Sequence, residues 1–201
     1  MEQLDSRVIL DKHPNGYHRQ GLSFCGGYSA QAILEAYGRE VPNHPRKLYH
    51  RRLGRLIGIP SGPSDWEKVF AEHGLQAEPG CAKDKSPEER LNLLKSLLSE
   101  HAPVMIRIGN GYGLDGKHRR WQQKLIGHWI TAWGYDDAEQ VFYVYDSAVP
   151  PNLYDKDIPI GNKKRSYQEM LRDWEGAWLP PHWSYVYIVV RCRDEMSQLL
   201  K

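Results

Sequence analysis

Cysteine is scarce in this chain: Cys25, Cys81 and Cys192 are all that the 201 residues contain. Three is an odd number, and the spacings make neither a disulfide framework nor a Cys-x-x-Cys metal clip. At least one thiol is therefore expected to be free, which suits a reducing compartment. The nine histidines include no His-Glu-x-x-His pattern, so neither a metal nor another cofactor is expected. Long apolar runs are missing as well; none approaches the eighteen or so residues that span a bilayer. The N-terminal run Val8-Ile9-Leu10 is too short, and its surroundings too acidic, for a secretory signal. The expectation is a cytoplasmic protein that does not enter a membrane.

Charge of one sign is not in excess either. Lys and Arg number 27 against 25 Asp and Glu, a net charge of +2, which is not the profile of a strongly basic nucleic-acid binder. The basic clusters at 46–55 and 117–124 read as solvated faces or as steering elements for an acidic substrate. No Gly-x-x-x-x-Gly-Lys-Ser/Thr sequence occurs. In Gly109-Asn-Gly-Tyr-Gly113, Leu114 stands where a dinucleotide loop needs its third glycine, and Lys117-His-Arg-Arg120 follows in place of an apolar helix. That segment is expected to be a flexible loop, a rim or lid for a site formed by its neighbours. Repeats, low-complexity tracts and linker-like composition shifts are all lacking, so residues 1–201 read as one domain.

What the chain has in quantity is patterned apolar sequence. In Cys25-Gly-Gly-Tyr-Ser-Ala-Gln-Ala-Ile-Leu-Glu-Ala-Tyr-Gly38, the residues Ala30, Ile33, Leu34 and Tyr37 recur at i, i+3, i+4 and i+7. This predicts an amphipathic helix starting at Cys25 and stopped by Gly38. Residues 45–57, with Leu48, Leu53, Leu56 and Ile57, give an imperfect helical face. A further helix is expected from a cap at Ser64, carrying Trp66, Val69 and Phe70 as far as Gly74. Another begins at Ser86-Pro87 with the stripe Leu91, Leu94, Leu97 and Leu98. Short strands are expected at 8–10 and 75–79. Beyond residue 102 the segments 103–108, 126–135, 141–145 and 184–192 predict strands rich in Val, Ile, Tyr and Trp. One helix interrupts them at 166–174, where Ser166 and Glu169 make a capping box. Helices crowd about 20–102 and strands about 103–192, which gives an α+β class: an N-terminal helical subdomain packed on a C-terminal antiparallel sheet.

A thiol at a helix start meets unpaired N–H groups and the positive end of the dipole, both of which favour thiolate. Gly26 and Gly27 are expected to leave it uncrowded, and a small buried hydrophobe is the plain alternative for Cys25. Farther on, a strand opens with Gly127-His-Trp-Ile130, and the next closes with Val144-Tyr-Asp-Ser-Ala148. In a hairpin turning near residue 138, facing positions have numbers summing to about 276, and 128 and 146 sum to 274. His128 and Asp146 should therefore lie close together on neighbouring strands. Thiolate, imidazole and carboxylate are the nucleophile, general base and orienting group of a Cys-His-Asp device. Cys81 and Cys192 read as structural. Trp129, Trp133, Trp174, Trp178 and Trp183 read as core and cleft wall, with Trp178, Pro180 and Pro181 beside the site.

Gln20 upstream of Cys25-Gly26, His128 in Gly-His-Trp-Ile, the Gly-Tyr-Asp-Asp turn and Asp146 in Tyr-Asp-Ser-Ala together resemble the papain-like cysteine peptidases. Within them the likeness is to the branch related to the double-glycine (bacteriocin) leader peptidases. It spans about residues 18–190 and includes the Ala-Pro-Val-Met-Ile strand and the Tyr-Gln-Glu-Met-Leu-Arg-Asp-Trp helix. The resemblance implies a papain-like fold with Cys25 as nucleophile, His128 as base and later acid, and Asp146 as orienter. Gln20 would share an oxyanion hole with the Cys25 backbone N–H, although it stands five positions before Cys25, one closer than in papain. Gly27 stands where Pro, Ser or Ala is usual. The implied activity is thiol-dependent acyl transfer through a Cys25 thioester, foremost hydrolysis of a peptide or other amide or ester substrate. The alternatives are an acyltransferase or amidase acting on a non-peptide substrate, and a catalytically silent papain-like binding module. The sequence carries no membrane-spanning run or phosphate-binding loop of the kind that follows the leader peptidases, so bacteriocin export is not implied.

Overall fold

A computed structural model describes residues 4–58, 61–113, 117, 119–176 and 183–192. The apolar stripe starting at Cys25 becomes helix α1, Cys25–Ala36, with Ala30, Ile33 and Leu34 fully buried. Helix α3, Pro63–Glu72, and helix α4, Pro87–Ser99, also follow their periodicity. α4 carries the Ser86–Glu89 capping box. In α3 the cap is Gly62 and not Ser64, because Pro63 takes the first helical position and Asp65 accepts the Gly62 N–H at 3.0 Å.

The stretch 45–57 is not one helical face. It splits into a 3₁₀ turn, Pro45–Leu48, and a short helix α2, Arg52–Ile57. Leu53, Leu56 and Ile57 are exposed, and only Leu48 of that apolar set is buried. A six-residue helix without a buried stripe is held by its flanks and not by its own face.

Among the described residues one antiparallel sheet receives every strand: β1 Arg7–Ile9, β2 Leu75–Cys81, β3 Val104–Gly109, β4 Gly127–Asp136, β5 Val141–Tyr145, β6 Lys163–Ser166 and β7 Val186–Cys192. Its order is β2-β7-β3-β4-β5-β6, and β1 also pairs with β4. β4 is long enough to share one edge between two partners. β3 runs along Gly127 to Ala132, and β1 takes Gly134 to Asp136. The predicted separation of helices from strands thus needs amending, because β1 and β2 join the sheet from the N-terminal part. β2 contains Pro79 and Gly80, residues that sheets tolerate at an edge, and the edge is where it lies.

Two further α-helices among the described residues are α5, Arg120–Leu125, and α6, Tyr167–Trp174, the latter with the expected Ser166–Glu169 box. α1 and α3 pack on each other, α1 on β4 and α3 on β2 and β7; α4 and α6 also pair, α4 covering β1, β3 and β4 and α6 covering β3, β5 and β6. Trp66, fully buried on α3, stacks edge-on against Tyr49 at 5.0 Å and fills the space beneath α1. Trp66→Ala is expected to cost about 3–5 kcal/mol, measured as a shift of the urea midpoint. No helix among the described residues is long and apolar enough to cross a membrane.

Candidate active site

Cys25 opens α1 directly after Phe24, which adopts the left-handed conformation at φ 76° and ψ 18°. That turn costs a non-glycine residue about 1–2 kcal/mol. Gly58 packs directly against it, with its own φ at +73° and a position where a Cβ would stand 2.6 Å from the Phe24 backbone nitrogen. Gly58→Ala is expected to lower stability by about 1–3 kcal/mol and to slow Cys25 alkylation as well, since the added methyl pushes on the turn that sets the sulfur. Urea melts and alkylation rates on the same preparation check this.

The first turn of α1 has no acidic side chain and no side-chain cap. The Tyr49 hydroxyl accepts the Gly27 N–H at 3.1 Å, leaving the dipole uncancelled. Gly26 and Gly27 turn out to serve close packing: a Cβ at Gly26 would meet Trp66 at 2.2 Å, and one at Gly27 would meet Tyr49 at 2.9 Å.

α1 lies on β4, where the Ser29 hydroxyl donates to the Trp129 carbonyl at 3.1 Å. This contact brings the sulfur to His128, at the start of that strand. The β4–β5 register runs at sums of 277 near the turn and 276 beyond an irregularity between Ala132 and Gly134, close to the hairpin estimate. The His128 Nε2–H donates to Asp146 Oδ1 at 2.7 Å, and both side chains are buried. The other side of the ring faces Cys25, near enough for hydrogen bonding and charge interaction.

Each group shifts for an identifiable reason. At Cys25, loss of water opposes the thiolate, but the charge and hydrogen bond of His128 and the backbone at Trp129 and Gly26 outweigh it and hold the thiol below its ordinary value. At His128, burial disfavours the cation, yet Asp146 and Cys25 push its pKa up to about 10. Burial works against the Asp146 carboxylate too, and the charges of His128 and Arg165 hold it well below the usual range. The linkage signs follow. The His128 contribution to folding is complete below about pH 6.5 and is lost as pH rises through about 10. That of Asp146 is present above the ordinary carboxylate value and lost in acid.

Cys25 and His128 line one cavity of about 430 Å³, together with Gln20, Phe24, Gly58 and Ala148. Asn110, Tyr112 and Gly113 line it too, so the glycine-rich segment after β3 is a rim of the cleft. Gln20 is fixed twice to Ser147. Its N–H donates to the Ser147 carbonyl at 2.8 Å, and its Oε1 accepts from the Ser147 hydroxyl at 2.6 Å. Its Nε2 is the amide end that Ser147 does not engage.

Sequence reasoning missed the residues behind the carboxylate. Asn162 brackets Asp146, its Oδ1 accepting the Asp146 N–H at 2.8 Å and its Nδ2 donating to the Asp146 carbonyl at 3.0 Å. Arg165 Nη2 donates to Asp146 Oδ2 at 2.7 Å. Neither residue lies in a periodic apolar stretch, so no local signal marks them. Among the described residues no group of three or more His, Cys, Asp or Glu is placed to hold a metal. Cys81 is exposed, Cys192 half-buried, and neither lines the cavity. Trp129, Trp133 and Trp174 are core residues, whereas Trp178, Pro180 and Pro181 lie outside the described residues.

No family profile and no curated protein sequence matches the chain. Solved structures do. A double-glycine motif protease from an AMS/PCAT transporter, crystallised with its leader peptide, is 16% identical, with 92% of this chain and 96% of that one covered at a TM-score of 0.52. Xylellain, a cysteine protease from Xylella fastidiosa, is 12% identical, with coverage of 94% and 87% and a TM-score of 0.59. At these identities the likeness is one of fold, and the chain has the α+β fold of papain-like cysteine peptidases.

Proposed function

We propose that the chain is a cysteine peptidase-like hydrolase that cleaves an amide or peptide bond through a thioester on Cys25. The observation that carries this reading is the convergence of a half-buried thiol and a buried imidazole on one open cavity, with a buried carboxylate bonded to the imidazole from behind. In this reading the Cys25 thiolate attacks the carbonyl carbon. Negative charge collects on the carbonyl oxygen, where the Cys25 backbone N–H and Gln20 Nε2 donate to it. His128, protonated in the ion pair, passes its proton to the leaving amine as the C–N bond breaks, and then takes one from the water that attacks the thioester. Asp146 keeps the ring in the tautomer and orientation that both transfers need.

A peptide substrate is favoured by the cleft's surroundings. Leu22 and Ile57 on one set of segments, and Ile126 on another, are exposed apolar side chains that line the cavity, and their neighbours in sequence Leu56, Trp121 and Leu125 are exposed as well. Apolar exposure gathered in this way marks a surface that receives a partner. The leader peptide bound by one of the structural relatives is of the same kind.

The test is acid-quenched intact mass spectrometry after mixing with a library of peptide esters. An acyl adduct on Cys25 that discharges to free acid supports hydrolysis, and its absence in Cys25→Ala supports the nucleophile. An adduct that discharges only when an amine is added would replace hydrolysis by transfer. If no adduct forms, and Cys25 alkylates no faster than Cys81 and Cys192 near neutral pH, the chain is no enzyme of this class.

A further inference from the structure

The second oxygen of Asp146 leads away from the cleft. Oδ1 takes the His128 Nε2–H at 2.7 Å and the Ala148 N–H at 2.9 Å, while Oδ2 takes Arg165 Nη2 at 2.7 Å. The other nitrogen of the Arg165 fork, Nη1, donates to Asp173 Oδ2 on α6. Asp173 Oδ1 in turn accepts from Gln123 on α5 and from Arg172 Nε, the latter at 2.8 Å. Asp146, Arg165, Asp173 and Gln123 are all buried. One rigid cationic fork therefore spans two carboxylates out of contact with water.

A guanidinium is planar, so tying one nitrogen to Asp173 fixes the direction in which the other reaches. The plane of the Asp146 carboxylate is then set from behind. Without that tie, Oδ2 would be a buried anionic oxygen lacking its donor, and the carboxylate would be free to turn about its Cβ–Cγ bond.

We propose that Arg165, anchored by Asp173, is a positioning residue that clamps the Asp146 carboxylate and thereby sets the ring of His128 toward Cys25. The inference rests on the reading of Cys25 and His128 as the reacting pair. The charged and titratable groups facing this carboxylate are His128 from β4, Arg165 from β6 with Asp173 behind it on α6, Tyr145 from β5 and, facing Arg165, Tyr112 from the rim.

The experiment uses the full chain and three variants: Arg165→Lys, Arg165→Met, and the double variant Arg165→Met with Asp173→Asn, which removes the charge at 173 so that only the loss at Asp146 is read. Two quantities are read: the pH profile of Cys25 alkylation by iodoacetamide, and the low-field proton resonance of the His128 ring N–H in histidine-labelled protein. In the double variant the acid limb of the profile is expected to rise by about one pH unit, a tenfold change in the equilibrium between thiol and ion pair, and the low-field resonance to be lost. Arg165→Lys, which keeps the cation and gives up the fork, should restore part of both, and it carries the test if the Met variants fail to fold. Unchanged profile and resonance in a folded variant overturn the proposal. If the wild type shows no thiolate plateau, the ion-pair reading fails by itself. The ring resonance, which does not depend on the sulfur, still decides for or against Arg165.

Discussion

At pH 6 the His128→Ala variant is expected to alkylate at Cys25 about tenfold more slowly than the wild type, with Cys81 and Cys192 unchanged. An ordinary thiol with a pKa near 8.5 is only about 0.3% ionised at that pH, whereas the charge and hydrogen bond of His128 hold the Cys25 thiol lower and so raise its thiolate share. Part of the gain is cancelled because a less basic thiolate is a weaker nucleophile, with a Brønsted slope of about 0.4–0.5. The shape of the profile is therefore more telling than its height. Wild-type rates should rise less steeply from pH 6 to 9, because His128 keeps its proton to about 10 and holds the thiol low over that range. The variant's rates should climb about tenfold per pH unit. In turnover the same substitution removes both proton transfers, and kcat is expected to fall by about 10⁶. Parallel alkylation profiles for the two proteins would show that no ion pair forms.

Gln20→Ala should lower kcat by about 10²–10³ and leave KM nearly unchanged, since an oxyanion donor acts on charge that exists only in the transition state. One position fewer between Gln20 and Cys25 than in papain raises the question of reach. Ser147, buried just beyond β5, holds both the backbone and the Oε1 of Gln20 beside the cavity that Cys25 lines, which supports such reach. Gln20→Glu is the sharper companion, because it keeps the size and places a carboxylate where a donor is required. Steady-state kinetics on a chromogenic ester separate kcat from KM. Unchanged kcat in Gln20→Ala would remove this side chain from the mechanism.

Local rules carried far where one element decides its own fate. The i, i+3, i+4, i+7 spacing after Cys25 was enough to place a helix there, and Ala30, Ile33 and Leu34 are buried as such a stripe requires. Hairpin arithmetic came within a residue or two of the contact between His128 and Asp146, because the strands flanking a short turn have little freedom of register. What escaped was decided by distant partners. β6, Lys-Lys-Arg-Ser, has no apolar alternation, and its Arg165 is buried because carboxylates from β5's end and α6 meet it. Leu53, Leu56 and Ile57 satisfied a helical period yet remain exposed. Pattern records what a helix is able to bury and not whether a neighbour comes to cover it.

The pairing of β2 with β7 also bears on how the chain folds as it leaves the ribosome. Leu75 sits opposite Cys192, 117 positions later (192 − 75), and the ladder continues to Cys81 opposite Val186. At about 5–20 residues per second, β2 is made roughly 6–25 s before its partner exists. Through that interval the nascent protein exposes an unpaired strand whose Leu75 is destined for complete burial, the sort of surface that chaperones shield. Translation speed between β2 and β7 is therefore expected to govern the yield of folded protein more than speed over the residues before β2.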